Sequence, residues 1–221
     1  MKYYPININI NGIRCVVVGG GPVGERKVKG LVECGASVTV ISPTLTAWLE
    51  SLAKTGAIEH VDREYRAGDL QGAFLVFAAT GEGALNTRIA EHSRSLGILV
   101  DVATSTGDSI FTTPSVLRRG DVMITASTGG SSPALSKHLR QELERTIGEE
   151  YEMAAEVLGA LRIAVKAASP EDWECIYKQI PIAEIISLLR SGDYTGVEER
   201  IKTAVGIDLK GLGVFPGKSA E

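Results

Sequence analysis

The run Cys15-Val16-Val17-Val18, followed without a break by Gly19-Gly20-Gly21-Pro22-Val23-Gly24, constrains this chain more than any other feature. An apolar, β-branched run predicts a buried strand, the G-x-G-x-x-G spacing predicts a tight turn, and Pro22 suits the first position of a helix that begins at once. In that context Gly19 serves the turn, Gly21 lets backbone approach a diphosphate, and Gly24 permits close helix-to-strand packing. The helix start supplies amide donors and the positive end of its dipole. Gly19, Gly21, Pro22, Val23 and Gly24 are therefore the expected diphosphate contacts of a dinucleotide site.

The rhythm that follows supports this. From Arg14 to about Val100 short β-branched runs alternate with helix-like stretches: RCVVV, PVGERKVKGLVECG, SVTVI, LTAWLESLAKTG, AIEHV, FLVFAA, a helix from Ala84 to Leu96, and GILVDV. Alternation of this kind predicts βαβ units and a parallel sheet of about five strands buried on both faces. Gly35 and Gly97 fall just past helix ends, where the left-handed conformation is needed.

After residue 103 the pattern changes. SIFTT and DVMITAS read as strands around the turn LRRGD and should pair antiparallel. Ser132-Pro133 gives an N-cap and a first-position proline for an amphipathic helix from Ala134 to Thr146. Residues 150–205 hold three or four more helices, and the last residues, GLGVFPGKSAE, read as a loosely held tail. The fold class is thus α/β: a parallel sheet over residues 1–112, a small strand-helix region over 113–148, and a helical domain over 149–221.

Of the 221 residues 44% are apolar and 23% charged, and nothing approaches the roughly 18 consecutive apolar residues of a membrane span. MKYYPININI has no separate apolar core with a cleavage site, so the expected compartment is the cytoplasm. A net charge of −4 gives no general attraction to nucleic acid or anionic membrane. Cys15, Cys34 and Cys175 are too far apart for a CxxC pair and are expected to be buried, reduced thiols. His60, His92 and His138 form no pair at ligand spacing, so no metal site is expected.

Two other sheet-edge positions bear on the cofactor. A ribose-binding Asp or Glu is expected about 20 residues past the turn, but the chain has Ile41-Ser42-Pro43-Thr44 there. Ser42 is either a ribose contact or the residue that opens the next helix, and the lack of a nearby arginine favours NAD over NADP. Thr80 and Gly81, after FLVFAA, are either cofactor contacts or an ordinary strand-to-helix turn.

With these elements placed, the chain resembles the precorrin-2 dehydrogenase/sirohydrochlorin ferrochelatase family, the N-terminal module of siroheme synthases. The likeness runs over about residues 3–145 and is carried by YYPININI, NGIRCVVVGGGPVGERKV, REYRAGDLQGAFLVFAAT and FTTPSVLRRGDVMITASTGGSSPALSKHLRQELE. It implies a Rossmann domain, a dimerisation region and a small helical domain. The implied activity is NAD-linked oxidation of the tetrapyrrole precorrin-2 to sirohydrochlorin, in some members with insertion of ferrous iron. A homodimer exchanging the segment around Phe111–Leu143 is implied as well. Methylation of the precursor is expected on another polypeptide.

A substrate with many carboxylates needs a local cationic patch on an acidic protein. Arg118 and Arg119 in the turn, with Lys137 and Arg140 one helical turn apart, are the candidates, against a solvated face or a dimer ion pair. Ser127, at the head of Ser127–Ser132, either binds a carboxylate through loop amides or turns the chain. Family members carry an aspartate within Asn-x-x-Asp at the end of the fifth strand. Alignment through Phe111 and Pro114 puts Asp101 at the Asn position and Thr104 at the Asp position. Asp101 or Asp108 is then the expected catalytic base, Asp101 being otherwise a turn cap. A protein that binds tetrapyrrole or NAD without catalysis, as carrier or sensor, is the alternative.

Overall fold

The computed structural model describes residues 3–105, 107–209 and 214–215, which form two compact units. The first comprises the chain up to Thr113 together with Gly129–Ser131, the second Pro114–Thr128 and the chain from Ser132 onward.

The first unit is built on five parallel strands, β1 (Arg14–Val18), β2 (Ser37–Ile41), β3 (Glu59–Val61), β4 (Leu75–Ala78) and β5 (Leu99–Val102), in the order β3-β2-β1-β4-β5. This is the expected parallel sheet, in the doubly wound strand order. Alternate residues of each strand supply two separate cores. Val16, Val18, Val76, Ala78, Val100 and Val102 pack with Ile89 and Ala90 of α3 (Gly83–Ser95). Cys15, Val17, Val38, Val40, Leu75 and Phe77 pack with Val28 and Leu31 of α1 (Pro22–Glu33) and Leu49 of α2 (Ala47–Lys54). The strands are apolar on both faces because both are covered. Strand order reverses between β1 and β4, which places the ligand-binding crevice of such a sheet at their carboxyl ends.

In the second unit β6 (Ser115–Arg119) and β7 (Val122–Ala126) pair antiparallel, and α4 (Pro133–Thr146) packs on them. Ser132 caps α4, its hydroxyl accepting from Leu135 N at 3.2 Å. α5 (Glu150–Ala168), α6 (Trp173–Tyr177), α7 (Ile182–Ser191) and α8 (Tyr194–Val205) enclose a core of Val157, Leu161, Val165, Ile185, Leu189 and Ile201.

The expected first strand of this pair is corrected. SIFTT forms no strand, and SVLRR takes its place. Ser109 Oγ accepts from Val102 N at 2.9 Å and Phe111 packs edge-on against Phe77 with ring centres 5.4 Å apart, so this segment is held against the end of β5. The ladder closes through a two-residue turn, Gly120-Asp121, in which Gly120 has φ +52, a conformation glycine adopts without strain. Arg118 and Arg119 accordingly lie in β6 and not in the turn.

Two further expectations change. Cys175 is exposed and Cys34 half-buried, leaving Cys15 as the buried thiol; none of the three forms a disulfide. Burial pushes the Cys15 thiol up to about 11, which keeps it protonated and unreactive at neutral pH. The expected tail lies outside the described residues except Val214 and Phe215, which pack against the helical core. Among the described residues no helix is long and apolar enough to cross a membrane.

Candidate functional site

The carboxyl ends of β1, β2 and β4 converge on the glycine turn. Gly19 has φ +116, and a Cβ there would overlap the carbonyl of Ala79, which follows β4. A Cβ on Gly20 would overlap the Thr44 carbonyl after β2, and one on Gly24 the Gly19 carbonyl within the turn. Backbone bonds fix the same approach: Gly19 N donates to Ile41 O at 2.9 Å and Thr46 N to Gly20 O at 3.0 Å. The walls around Gly19 and Gly20 are therefore largely main chain, and only a missing side chain lets three loops come this close.

Gly21 differs. It is the N-cap of α1, no side chain caps that helix, and an added Cβ would have no atom within 4 Å. Pro22 has no amide hydrogen to leave unpaired, and the exposed Val23 follows. The positive end of α1 thus opens onto free space beside backbone that carries no side chain, an arrangement suited to an anion.

Thr80 and Gly81 form the facing wall. A residue absent from the sequence-based expectation, Asn86 on α3, controls it. Asn86 is fully buried; its Oδ1 accepts from Thr80 N (3.1 Å) and Thr80 Oγ1 (2.7 Å), and its Nδ2 donates to Thr80 O (3.0 Å) and Thr104 Oγ1 (3.3 Å). Thr80 is committed to holding the loop, and Gly81 is left exposed at the crevice. The same amide reaches Thr104, so it fastens the loop after β4 to the one after β5. An Asn on a helix face otherwise lined by Ile89, Ala90 and Ser93 was the signal for it. Replacing Asn86 by Ala should lower unfolding free energy by about 3 kcal/mol, since two backbone groups of Thr80 lose their partner; denaturant titration checks this.

Ser42 is buried, and its hydroxyl donates to Thr44 O at 2.7 Å. Beside it lies a cleft of about 420 Å³ lined by Pro43, Thr44, Glu50, Lys54, His60 and Asp62. His60 Nε2 lies 2.9 Å from the Ser42 carbonyl and donates to it.

Asp101 sits on the α1 side of β5, only 6% exposed. Its Oδ2 is 2.6 Å from Lys27 Nζ, which also donates to Thr113 Oγ1 at 2.6 Å and lies 5.3 Å from the centre of the Phe77 ring. Lys27 was not anticipated from sequence. Asp108 is about one third exposed, 3.7 Å from Arg94. Thr104 is exposed.

The residues expected to meet substrate belong to the second unit. Arg118 and Ser127 are exposed. Arg119 Nη1 donates to Arg118 O at 2.9 Å, and its Nε lies 3.4 Å from Glu149 Oε1, an ion pair without hydrogen-bond geometry. On α4, Arg140 pairs with Glu144, and Lys137 is exposed. Thr128 closes the loop before α4, its Oγ1 accepting from Ser132 N and donating to Ser132 O, both at 3.0 Å. Among the described residues no three His, Cys, Asp or Glu side chains gather as a metal site.

Comparison with known proteins agrees with this geometry. Residues 6–115 match a family described as NAD(P)-binding. A siroheme synthase of Thioalkalivibrio sulfidiphilus is 34% identical over 221 residues, covering 96% of this chain and 44% of that protein. One from Chromobacterium violaceum is 33% identical over 231 residues, covering 98% of this chain and 48% of that protein. The chain spans about half the length of the curated relatives it matches. A solved structure titled SirC, precorrin-2 dehydrogenase, superposes with a TM-score of 0.69 at 23% identity, covering 86% of this chain and 100% of that one. That likeness shows a shared fold.

Proposed function

We propose that the chain is an NAD-dependent precorrin-2 dehydrogenase of the siroheme synthase family, forming sirohydrochlorin in siroheme biosynthesis; its likeness to siroheme synthases supports this. The observation that carries this is the uncapped start of α1 at Gly21, set in a turn where Gly19 and Gly20 are closed in by the loops after β4 and β2. Those residues fit a dinucleotide diphosphate: Gly21, Pro22, Val23 and Gly24 would hold it, with Thr80 and Gly81 as the opposite wall.

NAD held by these residues would supply the hydride acceptor. The rest of the balance falls to the protein: precorrin-2 gives up that hydride and one proton, losing two electrons as its conjugation extends. Product delocalisation favours the reaction, so positioning of the two rings is the larger contribution. Of the two carboxylates considered, Asp108 is the more exposed and is the first choice as proton acceptor. Asp101, tied to Lys27, is the second. Arg118, Arg119, Lys137 and Arg140, with the amides after Ser127, supply the positive field that a polycarboxylate requires. The chain works as a cytoplasmic homodimer joined through the region around residues 113–148.

The test is an anaerobic assay with NAD and precorrin-2, in which the sirohydrochlorin absorption should develop. A parallel run with ferrous iron asks whether siroheme follows. NAD binding with no spectral change would overturn the dehydrogenase and leave a carrier. Asp108→Asn and Asp101→Asn, assayed separately, should each slow turnover, Asp108→Asn about a hundredfold if it takes the proton. Full activity in both would remove the assignment.

A further inference from the structure

We propose that Asp62, at the end of β3, receives the hydroxyls of the adenosine ribose and sets the preference for a dinucleotide without a 2′-phosphate; this rests on the dinucleotide reading above.

In doubly wound sheets the ribose acceptor sits at the end of the second strand. Here that position is Ser42, which is buried and has given its hydroxyl proton to Thr44 O. The acceptor role is left without its usual residue. The register between β2 and β3 pairs Ile41 with Val61, and Ser42 N continues the ladder by donating to Val61 O at 3.2 Å. Asp62 therefore follows the last paired residue of β3, next to the strand end that carries Ser42. An acid has been supplied one strand over from its usual place.

Asp62 is exposed and faces the 420 Å³ cleft that also holds Glu50 and Lys54. Neighbouring ribose hydroxyls are both donors, and a carboxylate accepts from both. A 2′-phosphate in the same cleft would meet two carboxylates and a single ammonium group, an unfavourable balance. His60, donating to the Ser42 carbonyl, ties the ends of the two strands together and so fixes where Asp62 stands.

Calorimetric titration of the full chain with NAD and, separately, with NADP tests the assignment. The wild-type protein should bind NAD at least about tenfold tighter than NADP, and Asp62→Asn should weaken NAD about tenfold while leaving NADP unchanged or tighter. Glu50→Gln removes the same charge from the far wall and should change NAD affinity less than about threefold. Equal affinities in the wild-type protein, unaltered NAD affinity in Asp62→Asn, or an equal loss in Glu50→Gln would each overturn the role of Asp62. Binding of neither dinucleotide by the wild-type protein would instead remove the cofactor reading itself. An unchanged thermal midpoint in Asp62→Asn shows that its loss is one of recognition.

Discussion

Gly21→Asp should reduce NAD affinity by more than about a hundredfold while leaving the fold intact. The two halves of this expectation have separate causes. An added Cβ meets no atom within 4 Å, and Gly21 has φ −82, so an L side chain is accommodated without strain. The carboxylate it carries would stand at the start of α1, satisfying the very amides and dipole that the cofactor diphosphate needs, and would repel that diphosphate as well. Calorimetric titration with NAD, alongside a far-ultraviolet spectrum, measures both halves. Wild-type affinity in this variant would place the cofactor elsewhere. The matching substitution at Gly24 would be uninformative, because a Cβ there overlaps the Gly19 carbonyl and the turn itself would have to move.

Lys27→Met should destabilise the first unit by about 3–5 kcal/mol, far more than a surface charge is worth. The Asp101 side chain is 8% exposed and Lys27 is the cation beside it, so removal of the ammonium leaves a carboxylate out of water with its Coulombic partner gone. Lys27→Met combined with Asp101→Asn should recover much of that loss, because no buried charge then remains. Urea unfolding followed by Trp48 fluorescence, in a Trp173→Phe background, reports the first unit. The single variant should lower the midpoint by about 1–2 M. A change below about 1 kcal/mol, or no recovery in the double variant, would show that the pair contributes little. The same experiment bears on chemistry: an Asp101 that anchors Lys27 and Thr113 holds the segment leaving β5 in place, whether or not it meets substrate.

What was legible in the sequence was local. The β-branched run before Gly19, the proline at the start of α1 and the alternation of short apolar runs with helical stretches each act over a few residues, and they specify the parallel sheet and the glycine turn. The errors and omissions arise where distant residues decide. SIFTT has strand-like composition, but Ser109 and Phe111 are taken up by β5 and β4, and the ladder begins six residues later. Lys27 lies 74 residues from Asp101, and Asn86 joins two loops that no spacing rule connects. Asp62 looks like any acid after a short strand until the register sets it next to the strand end that carries Ser42.

The contrast between the glycine turn and the cleft beside Ser42 has an evolutionary consequence. Around Gly19 and Gly20 the obstructing atoms are mainly peptide carbonyls, which amino-acid replacement does not alter, so the turn has little room to drift. The cleft beside Ser42 is lined by Glu50, Lys54, His60 and Asp62, each one codon change from a different charge. A lineage of such chains can therefore exchange one pyridine nucleotide for another through the second and third strands alone, with its glycine fingerprint unchanged.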